Sequence, residues 1–408
     1  MDTKSIETRT SWVVATVSVM LLGLSFGGPW IVAVGLKAIA ADMGGQRTAP
    51  ALGGSLAWFG TAAGGIVMGR IAERYGIRWT VMFGAVMICV GLFISTLGQP
   101  WQLWLGHGLF IGLLGNSGLN APLYVYVSRW FDRRRGSALA LISSGGYLAG
   151  FVWPTLFERS IAHFGWRWTM MAYGVFQLAA ILPLALIFLR PPPDLPLAGK
   201  AGAAAGPTPD VLGWNANAVF ALIAGASFLC CVTMSMPQAH LVALCSDLGI
   251  SPTVGAAMLS VLLGVGLLSR QVWGWISDRI GGLPTALLSS GLQGSAMAGF
   301  LVTQDEAGLF AVSAAFGVGF AALIPAYVLA IRELYPVSEA YWRVPTLLFL
   351  SGSGMATGPW LAGYLYDMYG YYAPAFAAGV ASNAANFALL AMLVVRQQWV
   401  RPAPADAA

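Results

Sequence analysis

The chain has 408 residues, 58% of them hydrophobic and only 9% Asp, Glu, Lys or Arg, with a formal net charge of +5. Average soluble domains carry about 25% charged residues, so this composition cannot cover a water-facing surface. It excludes a soluble enzyme and a disordered protein, and it predicts an integral membrane protein whose apolar side chains face lipid. The basic residues lie between apolar stretches, which indicates membrane flanks and argues against nucleic acid as a partner.

Twelve apolar stretches of membrane-spanning length follow one another along the chain. A bilayer core of about 30 Å requires about 20 apolar residues per helix. Each stretch ends at Gly, Pro or charged residues. We number these predicted helices span 1 to span 12. They begin near Trp12, Ala51, Thr80, Trp101, Ser137, Trp166, Asn215, Pro252, Leu283, Ala307, Val344 and Tyr372.

Residues 191–214, between span 6 and span 7, are rich in Pro, Gly and Ala. This composition cannot span lipid and predicts a flexible linker. We therefore expect a first six-helix bundle at 1–190, a cytoplasmic linker at 191–214, a second bundle at 215–396 and a cytoplasmic tail at 397–408. The predicted fold class is all-α integral membrane, with two pseudo-symmetric six-helix bundles.

Basic residues are concentrated at one set of span ends, whereas the opposite loops hold chiefly Arg47, Arg159 and Arg167. The positive-inside rule assigns the basic set to the cytoplasm. An even number of spans then places both termini in the cytoplasm, in a multi-pass protein of the cell membrane. The basic residues at these ends are Lys4, Arg9, Arg74, Arg78, Arg129, Arg133, Arg134, Arg135, Arg190, Lys200, Arg279, Arg332, Arg396 and Arg401.

A short motif recurs in the two halves. Gly69–Gly76 (G-R-I-A-E-R-Y-G) follows span 2, and Gly274–Gly281 (G-W-I-S-D-R-I-G) follows span 8, with four matches at a constant offset of 205. Duplicated transporter halves leave such an offset, and chance similarity is the alternative. Glycine lets helix ends approach, and a boundary acid can accept hydrogen bonds from a neighbouring helix. The predicted conformational motif comprises Gly69, Glu73, Arg74, Gly76, Arg78, Gly274, Asp278, Arg279, Gly281, Arg133 and Arg134.

The motif after span 2 resembles the G-x-x-x-D-R-x-G-R sequence of the major facilitator superfamily, with Glu73 where Asp is usual. Two further stretches resemble the monocarboxylate transporters and the bacterial oxalate:formate antiporter group. These are Ser128–Ala138 (S-R-W-F-D-R-R-R-G-S-A) and His240–Ser251 (H-L-V-A-L-C-S-D-L-G-I-S). The resemblance covers most of the chain. It implies alternating access of two six-helix halves around a central site.

The resemblance also places the substrate-binding arginine of these carboxylate carriers at Arg270 in span 8. Many monocarboxylate transporters have an Asp one helical turn earlier, where this chain has Gly266. Proton coupling through that acid is therefore in doubt. The oxalate antiporter has a Lys in span 11, whereas Val344–Tyr366 contains no Lys or Arg. A dicarboxylate substrate is correspondingly less expected.

Arg270 also stands out on physical grounds alone. It precedes the boundary residue Asp278 by eight positions, which places it roughly 12 Å inside the span. A central arginine costs about 2.5–3.5 kcal/mol to insert, and no acid lies one turn away on the same helix. An unpaired guanidinium in a water-filled cavity suits a planar carboxylate. The alternatives are pairing with backbone carbonyls and snorkelling towards the cytoplasm.

Other polar side chains could shape the same cavity. Asn116, Asn120 and Tyr124 recur every four residues on span 4 and share one helix face. A helix-to-helix hydrogen bond is the alternative role of each. The weaker candidates are Tyr147 in span 5, Gln238 and His240 in span 7, Tyr327 in span 10, and Ser351 and Ser353 in span 11.

We expect a secondary transporter of small monocarboxylates, such as lactate- or pyruvate-like anions, with proton symport as one open form of coupling. An oxalate:formate type of anion exchanger and a drug or metabolite exporter are the alternatives. An exporter of cationic compounds would normally use a membrane-embedded acid, and we identify none in mid-span. Scattered His residues and the lack of paired carboxylates argue against an enzyme. We expect no cofactor, no metal, and a monomer in the bilayer.

Overall fold

The computed structural model describes residues 6–192 and 210–400. Within these ranges the chain is helical apart from turns and one short antiparallel pair of strands, Asp210–Val211 and Trp214–Asn215. Residues 193–209 of the predicted linker, residues 401–408 of the predicted tail, and the basic residues Lys4, Lys200 and Arg401 lie outside the described residues. The division into two bundles, a linker and a tail stays a prediction.

The first half contains six membrane crossings. Span 5 and span 6 share one continuous helical stretch that turns back at Gly165. The helices are Arg9–Ser25, Gly27–Val34 and Leu36–Asp42 for span 1, Thr48–Tyr75 for span 2, Ile77–Ser95 for span 3, Pro100–Leu105, Gly106–Asn116 and Ser117–Ser128 for span 4, and Arg135–Ser143 and Gly145–Phe188 for spans 5 and 6.

The second half repeats this arrangement. Its helices are Ala216–Asp247 for span 7, Pro252–Ile280 for span 8, Gly282–Val302 for span 9, Glu306–Phe320 and Leu323–Leu334 for span 10, Val337–Tyr369 for span 11 and Ala373–Val400 for span 12.

Membrane-spanning character follows from length and hydropathy. Eight described helices are long and apolar enough to cross a membrane, and a ninth, Thr48–Tyr75, qualifies if its two parts are taken as one bent span. One of the eight, Ser137–Phe188, contains both span 5 and span 6. The interrupted span 4 and the more polar span 11 complete the twelve predicted crossings. The predicted twelve-helix fold is therefore confirmed.

Glycines with positive φ mark equivalent turns in the two halves. Gly76 (φ 89°) and Gly281 (φ 83°) precede spans 3 and 9, whereas Gly165 (φ 79°) and Gly370 (φ 80°) precede spans 6 and 12. Glycine adopts this backbone region without the steric cost that a Cβ imposes. Both pairs share the offset of 205 seen in the motif. The duplication therefore extends to the turns between helices.

Several spans are interrupted. Span 1 breaks at Phe26, immediately before Gly27, whose missing side chain makes room for the hydroxyl of Tyr173. Span 2 bends by 52° between Gly65 and Val67. Span 4 contains the π-helix Gly106–Asn116, a type of distortion that often occurs at functional sites.

Successive spans run in opposite directions, so the two ends of the described chain, Ile6 and Val400, lie at the same end of the bundle. We call this end the terminal end. The opposite end, which carries the turns after spans 1, 3, 5, 7, 9 and 11, is the far end. At the terminal end, Tyr126 donates a hydrogen bond to the Arg190 carbonyl (2.7 Å) and Arg78 donates to the Leu189 carbonyl (3.1 Å). These bonds hold the end of span 6. The cytoplasmic location of the terminal end stays a prediction.

The two halves meet chiefly along span 2 with span 11 and span 5 with span 8. In the far-end half of the first pair, the Ser55 hydroxyl accepts from the Trp360 amide (3.1 Å). In the second pair, the Thr155 and Ser260 hydroxyls lie 3.1 Å apart. Charged contacts add to these at the far end. The described structure is thus closed at the far end.

Candidate functional site

Arg270 lies half-buried on span 8, about 27 Å along the helix from Pro252 and about 15 Å from Ile280. Its guanidinium carbon is 4.9 Å from the centre of the Tyr147 ring on span 5, in the other half. Its charge also acts on the Tyr124 hydroxyl of span 4. Among the described residues we find no carboxylate paired with Arg270. The structure therefore brings together three of the predicted site residues.

Aromatic rings form one wall beside Arg270. Tyr147 stacks on Phe320 of span 10, with ring centres 5.8 Å apart and an interplanar angle of 6°. A Cβ atom at Gly266 would lie 3.3 Å from Tyr147 Cε1 and 3.1 Å from Phe320 Cζ. The rings therefore occupy the space into which an acid at position 266 would project. The aromatic stack of Tyr147 and Phe320 thus fills the place of the missing acid.

The polar residues of span 4 continue from this site along the helix. Asn120 and Tyr124 are half-buried, whereas Asn116 is fully buried at the end of the π-helix. Neither polar atom of the Asn116 amide has a hydrogen-bond partner among the described residues. Buried polar groups are nearly always paired, so an unpaired amide beside a helical distortion is a candidate for binding a ligand or water. Asn116 lies about 12 Å from Tyr124 along the helix.

Three predicted site residues form hydrogen bonds within the second half instead. The Tyr327 hydroxyl is fully buried and donates to Asn386 Oδ1 of span 12 (2.5 Å). Ser351 donates to the Leu347 carbonyl (2.8 Å), and Ser353 donates to the Phe349 carbonyl (2.9 Å). Each of these hydroxyls therefore has a hydrogen-bond acceptor within the second half. None of these hydrogen bonds involves Arg270, and a role of the three side chains in substrate binding stays a prediction.

Gln238 lines a cavity of about 40 Å³ between the halves, with Trp30, Trp58 and Met355 among its apolar neighbours. This volume holds only a few water molecules. The cavity lies on the far-end side of Arg270. Gln238 is therefore in the interface between the halves, although not beside the guanidinium.

His240 lies near the far end, about 10 Å before the end of span 7. Its Nε2 is 2.9 Å from the Pro359 carbonyl oxygen, and its Nδ1 is 2.9 Å from the Tyr372 hydroxyl. Because a carbonyl oxygen only accepts, we assign the hydrogen to Nε2, and Nδ1 accepts from Tyr372. His240 therefore belongs to a far-end cluster and not to the Arg270 site.

An arginine from the first half completes this cluster. Arg47 donates from Nη1 to Asp247 Oδ2 (2.6 Å), from Nη2 to Asp247 Oδ1 (2.7 Å), and from Nη1 to the Tyr372 hydroxyl (2.7 Å). Asp367 accepts from the backbone amides of Arg47 and Thr48 (both 2.8 Å). We call Arg47, Asp247, Asp367, Tyr372 and His240 the far-end latch, because they tie the two halves together.

The far-end latch keeps its arginine charged. Burial alone would lower the pKa of Arg47, but the hydrogen bonds to Asp247 and Tyr372 raise it above its usual value. Lys37 adds an exposed ion pair with Asp247 at 2.9 Å. The ring of Tyr366 lies 3.6 Å from the Arg47 guanidinium carbon. The latch thus combines ionic, hydrogen-bonding and cation–π contacts.

The predicted conformational motif lies at the terminal end. Glu73 and Asp278 are exposed, Arg279 stacks on Trp275 at 3.4 Å, and Arg74 lies 5.4 Å from the Tyr75 ring. Gly69 and Gly274 have open space where a Cβ would be. The backbone amides of Arg133 and Arg134 both donate to Glu7 (2.6 and 2.5 Å). A role for this motif in changing conformation stays a prediction.

Two charged residues inside spans were missed by sequence reasoning. Glu158 is only 8% exposed in span 5, about 10 Å before the turn at Gly165, so a buried acid lies inside a span near its far end. Arg343 is 2% exposed in span 11, which begins at Val337 and not near Val344. It pairs with Glu339 at 2.6 Å and lies 4.2 Å from the Tyr335 ring. An i, i+4 acid–base pair was the available signal for Arg343.

Comparison with known proteins agrees with this architecture. A family model described as Major Facilitator Superfamily matches residues 16–305 and 221–407. Monocarboxylate transporter 13 of Bos taurus is 30% identical over 319 residues, which cover 77% of this chain and 72% of that protein. An agnestins efflux protein of Paecilomyces divaricatus is 25% identical over 337 residues, covering 81% and 75% respectively.

A solved structure has the same fold. A bacterial homologue of the human lysosomal transporter Spinster, in an inward-facing and occupied conformation, superposes with a TM-score of 0.71 and 16% identity, covering 97% of this chain and 99% of that one. The fold is that of a multi-pass membrane transporter. The chain belongs to the major facilitator superfamily, with relatives among the monocarboxylate transporters.

Proposed function

We propose that the protein is a secondary transporter of small monocarboxylates, such as lactate- or pyruvate-like anions, that works by alternating access. The observation that carries this proposal is the half-buried guanidinium of Arg270, which pairs with no carboxylate among the described residues and faces Tyr147 of the other half. An arginine within a membrane span is costly unless its charge is compensated. A bound carboxylate would supply that compensation through two parallel hydrogen bonds.

Alternating access fits the placement of this group. Arg270 and Tyr147 belong to different halves, so rocking of one half against the other would change which side of the membrane reaches the anion. Closure at the far end leaves the terminal end as the side of access in the described conformation. We infer that the terminal end faces the cytoplasm and that one copy of the chain forms the transport path.

The alternative is export of a larger metabolite. Glu158 supports this alternative, because an exporter of cationic compounds needs a membrane-embedded acid. The similarity to a fungal efflux protein supports export as well. An anion exchanger of the oxalate:formate type would share the Arg270 site, but it requires a second positive charge to compensate the second carboxylate of oxalate.

Ligand-induced stabilisation of the purified protein tests the proposal. Ligands that bind the folded state raise the unfolding temperature. We expect L-lactate or pyruvate to raise it in the wild type and in Arg332→Ala, an exposed control on span 10, but not in Arg270→Ala. Arg270→Lys should weaken the effect, because lysine lacks the planar pair of donors. Stabilisation by lipophilic cations and none by carboxylates would contradict the proposal and favour export.

A further inference from the structure

We propose that His240 Nδ1 is a proton-binding site that controls the far-end latch, and that a proton bound there opens the latch. This inference rests on the proposed transport function for its meaning, although its test does not require a substrate. The argument starts from the hydrogen bonds of the imidazole in the closed latch. Nε2–H donates to the Pro359 carbonyl, and Nδ1 accepts from the Tyr372 hydroxyl.

The Tyr372 oxygen connects the imidazole to the first half. It accepts a hydrogen bond from Arg47 Nη1 (2.7 Å) while its own hydrogen points to His240. This arrangement is complete, because each donor has an acceptor. It requires a neutral imidazole with a free lone pair on Nδ1. The far-closed conformation is therefore built around the unprotonated form of His240.

A proton on Nδ1 would turn this acceptor into a donor. The Tyr372 oxygen would then face two cationic donors, the imidazolium and the Arg47 guanidinium. The tyrosine hydrogen would lose its acceptor. Two like charges that share one oxygen in a buried setting repel each other strongly. The closed latch is therefore incompatible with a protonated His240 unless Arg47 moves away.

The neighbouring acids do not resolve this conflict. Asp247, on the same span as His240, already accepts from Arg47 and Lys37. Asp367 on span 11 accepts from two backbone amides and from the Thr48 hydroxyl. The remaining titratable groups around the imidazole are Tyr366 of span 11 and Tyr372 of span 12, whose hydroxyls are neutral near pH 7. No further carboxylate of the described latch is free to pair with an imidazolium.

Opening of the far end would remove Arg47 together with the first half. His240 would then face the solution on that side, where an imidazole titrates near neutral pH. Proton binding and latch closure thus compete, and by linkage each weakens the other. A proton taken up in the far-open conformation must therefore leave His240 before the far end closes, and it returns to the solution on that side. His240 would thus act as a pH-dependent switch of access at the far end.

The test measures the separation of the two halves at the far end as a function of pH. Spin labels on noncanonical amino acids at Ala41 and Thr253, both exposed at the far end of different halves, leave the native cysteines unchanged. The protein is studied in nanodiscs without substrate. Between about pH 8 and about pH 5, we expect the long-distance population of the wild type to rise several-fold.

Two variants locate the proton. In His240→Gln the side chain can still donate to Pro359 and accept from Tyr372, but it cannot bind a proton, so we expect the short distance at both pH values. His107→Gln is the matched control, because His107 is a fully buried histidine outside the latch. It should respond like the wild type.

The outcomes that overturn the inference are distinct. A wild-type distance distribution that does not change with pH removes it, as does an unchanged pH response in His240→Gln. A response that is lost in Glu158→Gln and kept in His240→Gln would assign the proton to Glu158. If His240→Gln does not fold, Tyr372→Phe is used, and it should reduce the response by freeing Nδ1 from the oxygen shared with Arg47. Failure of carboxylates to stabilise the protein would contradict the proposed function but leave this result intact.

Discussion

Arg47 of the first half and Asp247 of the second half form a bidentate ion pair, with nitrogen–oxygen distances of 2.6 and 2.7 Å. This pair joins the two halves at the far end. The Arg47 side chain is 7% exposed, so little water competes with this pair. Opening the far end must break it. The pair therefore contributes directly to the preference for the far-closed conformation.

Neutralising this pair should shift the conformational equilibrium. A hydrogen bond to a charged group contributes about 1.5–3 kcal/mol of stability. Its loss in the closed state corresponds to a roughly ten- to hundredfold change in the ratio of closed to open molecules. We expect this increase in far-open molecules for Arg47→Ala and for Asp247→Asn, and no larger effect in the double variant. The far-end distance between labels at positions 41 and 253 is the measurement.

Lys37→Ala is the control for this prediction. Its ion pair with Asp247 is 43% exposed at the lysine, and exposed pairs contribute about 1 kcal/mol or less. Its effect should therefore be small. Simple additivity of Arg47→Ala and Asp247→Asn would show that the two side chains do not interact energetically.

An acid introduced at position 266 should weaken anion binding while that acid is ionised. In Gly266→Asp a carboxylate would lie one helical turn before Arg270 and could pair with it, so a substrate carboxylate would face a neutralised guanidinium. Gly266→Ala separates the steric effect, because its Cβ meets Phe320 Cζ at 3.1 Å. Carboxylate-induced shifts of the unfolding temperature are the readout. Gly146→Ala, with open space at the Cβ position, is the matched control.

Glu158 should influence ion coupling more than folding, because it shares a helix face with a residue that contacts the second half. Thr155, one turn earlier on the same helix face, contacts Ser260 of the second half, so Glu158 points in a similar direction. We expect Glu158→Gln to preserve L-lactate counterflow in proteoliposomes and to reduce uptake driven by a proton gradient. Equal loss of both activities would instead indicate a structural role. Arg159→Gln, its exposed neighbour, provides the control.

Acid should weaken a second contact at the far end. Asp42 accepts a hydrogen bond from Trp166 Nε1 (2.8 Å) and forms an ion pair with Arg167. The Trp166 hydrogen bond has the largest effect and lowers the pKa of Asp42, and the Arg167 contacts lower it further. Together they outweigh desolvation, which alone would raise this pKa. A depressed pKa means that this stabilisation is present above the unfolded-state pKa and is lost as pH falls through the folded-state pKa.

Comparison of the wild type with Asp42→Asn across the acidic range tests this contact. The variant should have the lower unfolding temperature near about pH 6, and the difference should shrink as the wild-type carboxylate becomes protonated at lower pH. A difference that is constant with pH would show that the ionised form of Asp42 does not contribute. Because Asp42 is largely exposed, we expect a small effect.

The membrane class, the twelve spans and the duplication could be predicted from the sequence. These features depend on local properties: the length of apolar stretches, the residues that end them, and a motif repeated at an offset of 205. Arg270 could also be selected, because a charge within an apolar stretch is visible without any neighbour. Even the predicted start of span 8 at Pro252 coincides with the structure.

The tertiary structure alone decided which polar groups meet. Arg47 and Asp247 are separated by 200 residues, and no local pattern relates them. Tyr327 pairs with Asn386, His240 with Tyr372, and neither contact follows from spacing. The physical reason is that helices apolar on every side carry no periodic pattern that marks their inward face. Packing between helices sets that face, and with it the difference between a substrate site, a structural hydrogen bond and a latch.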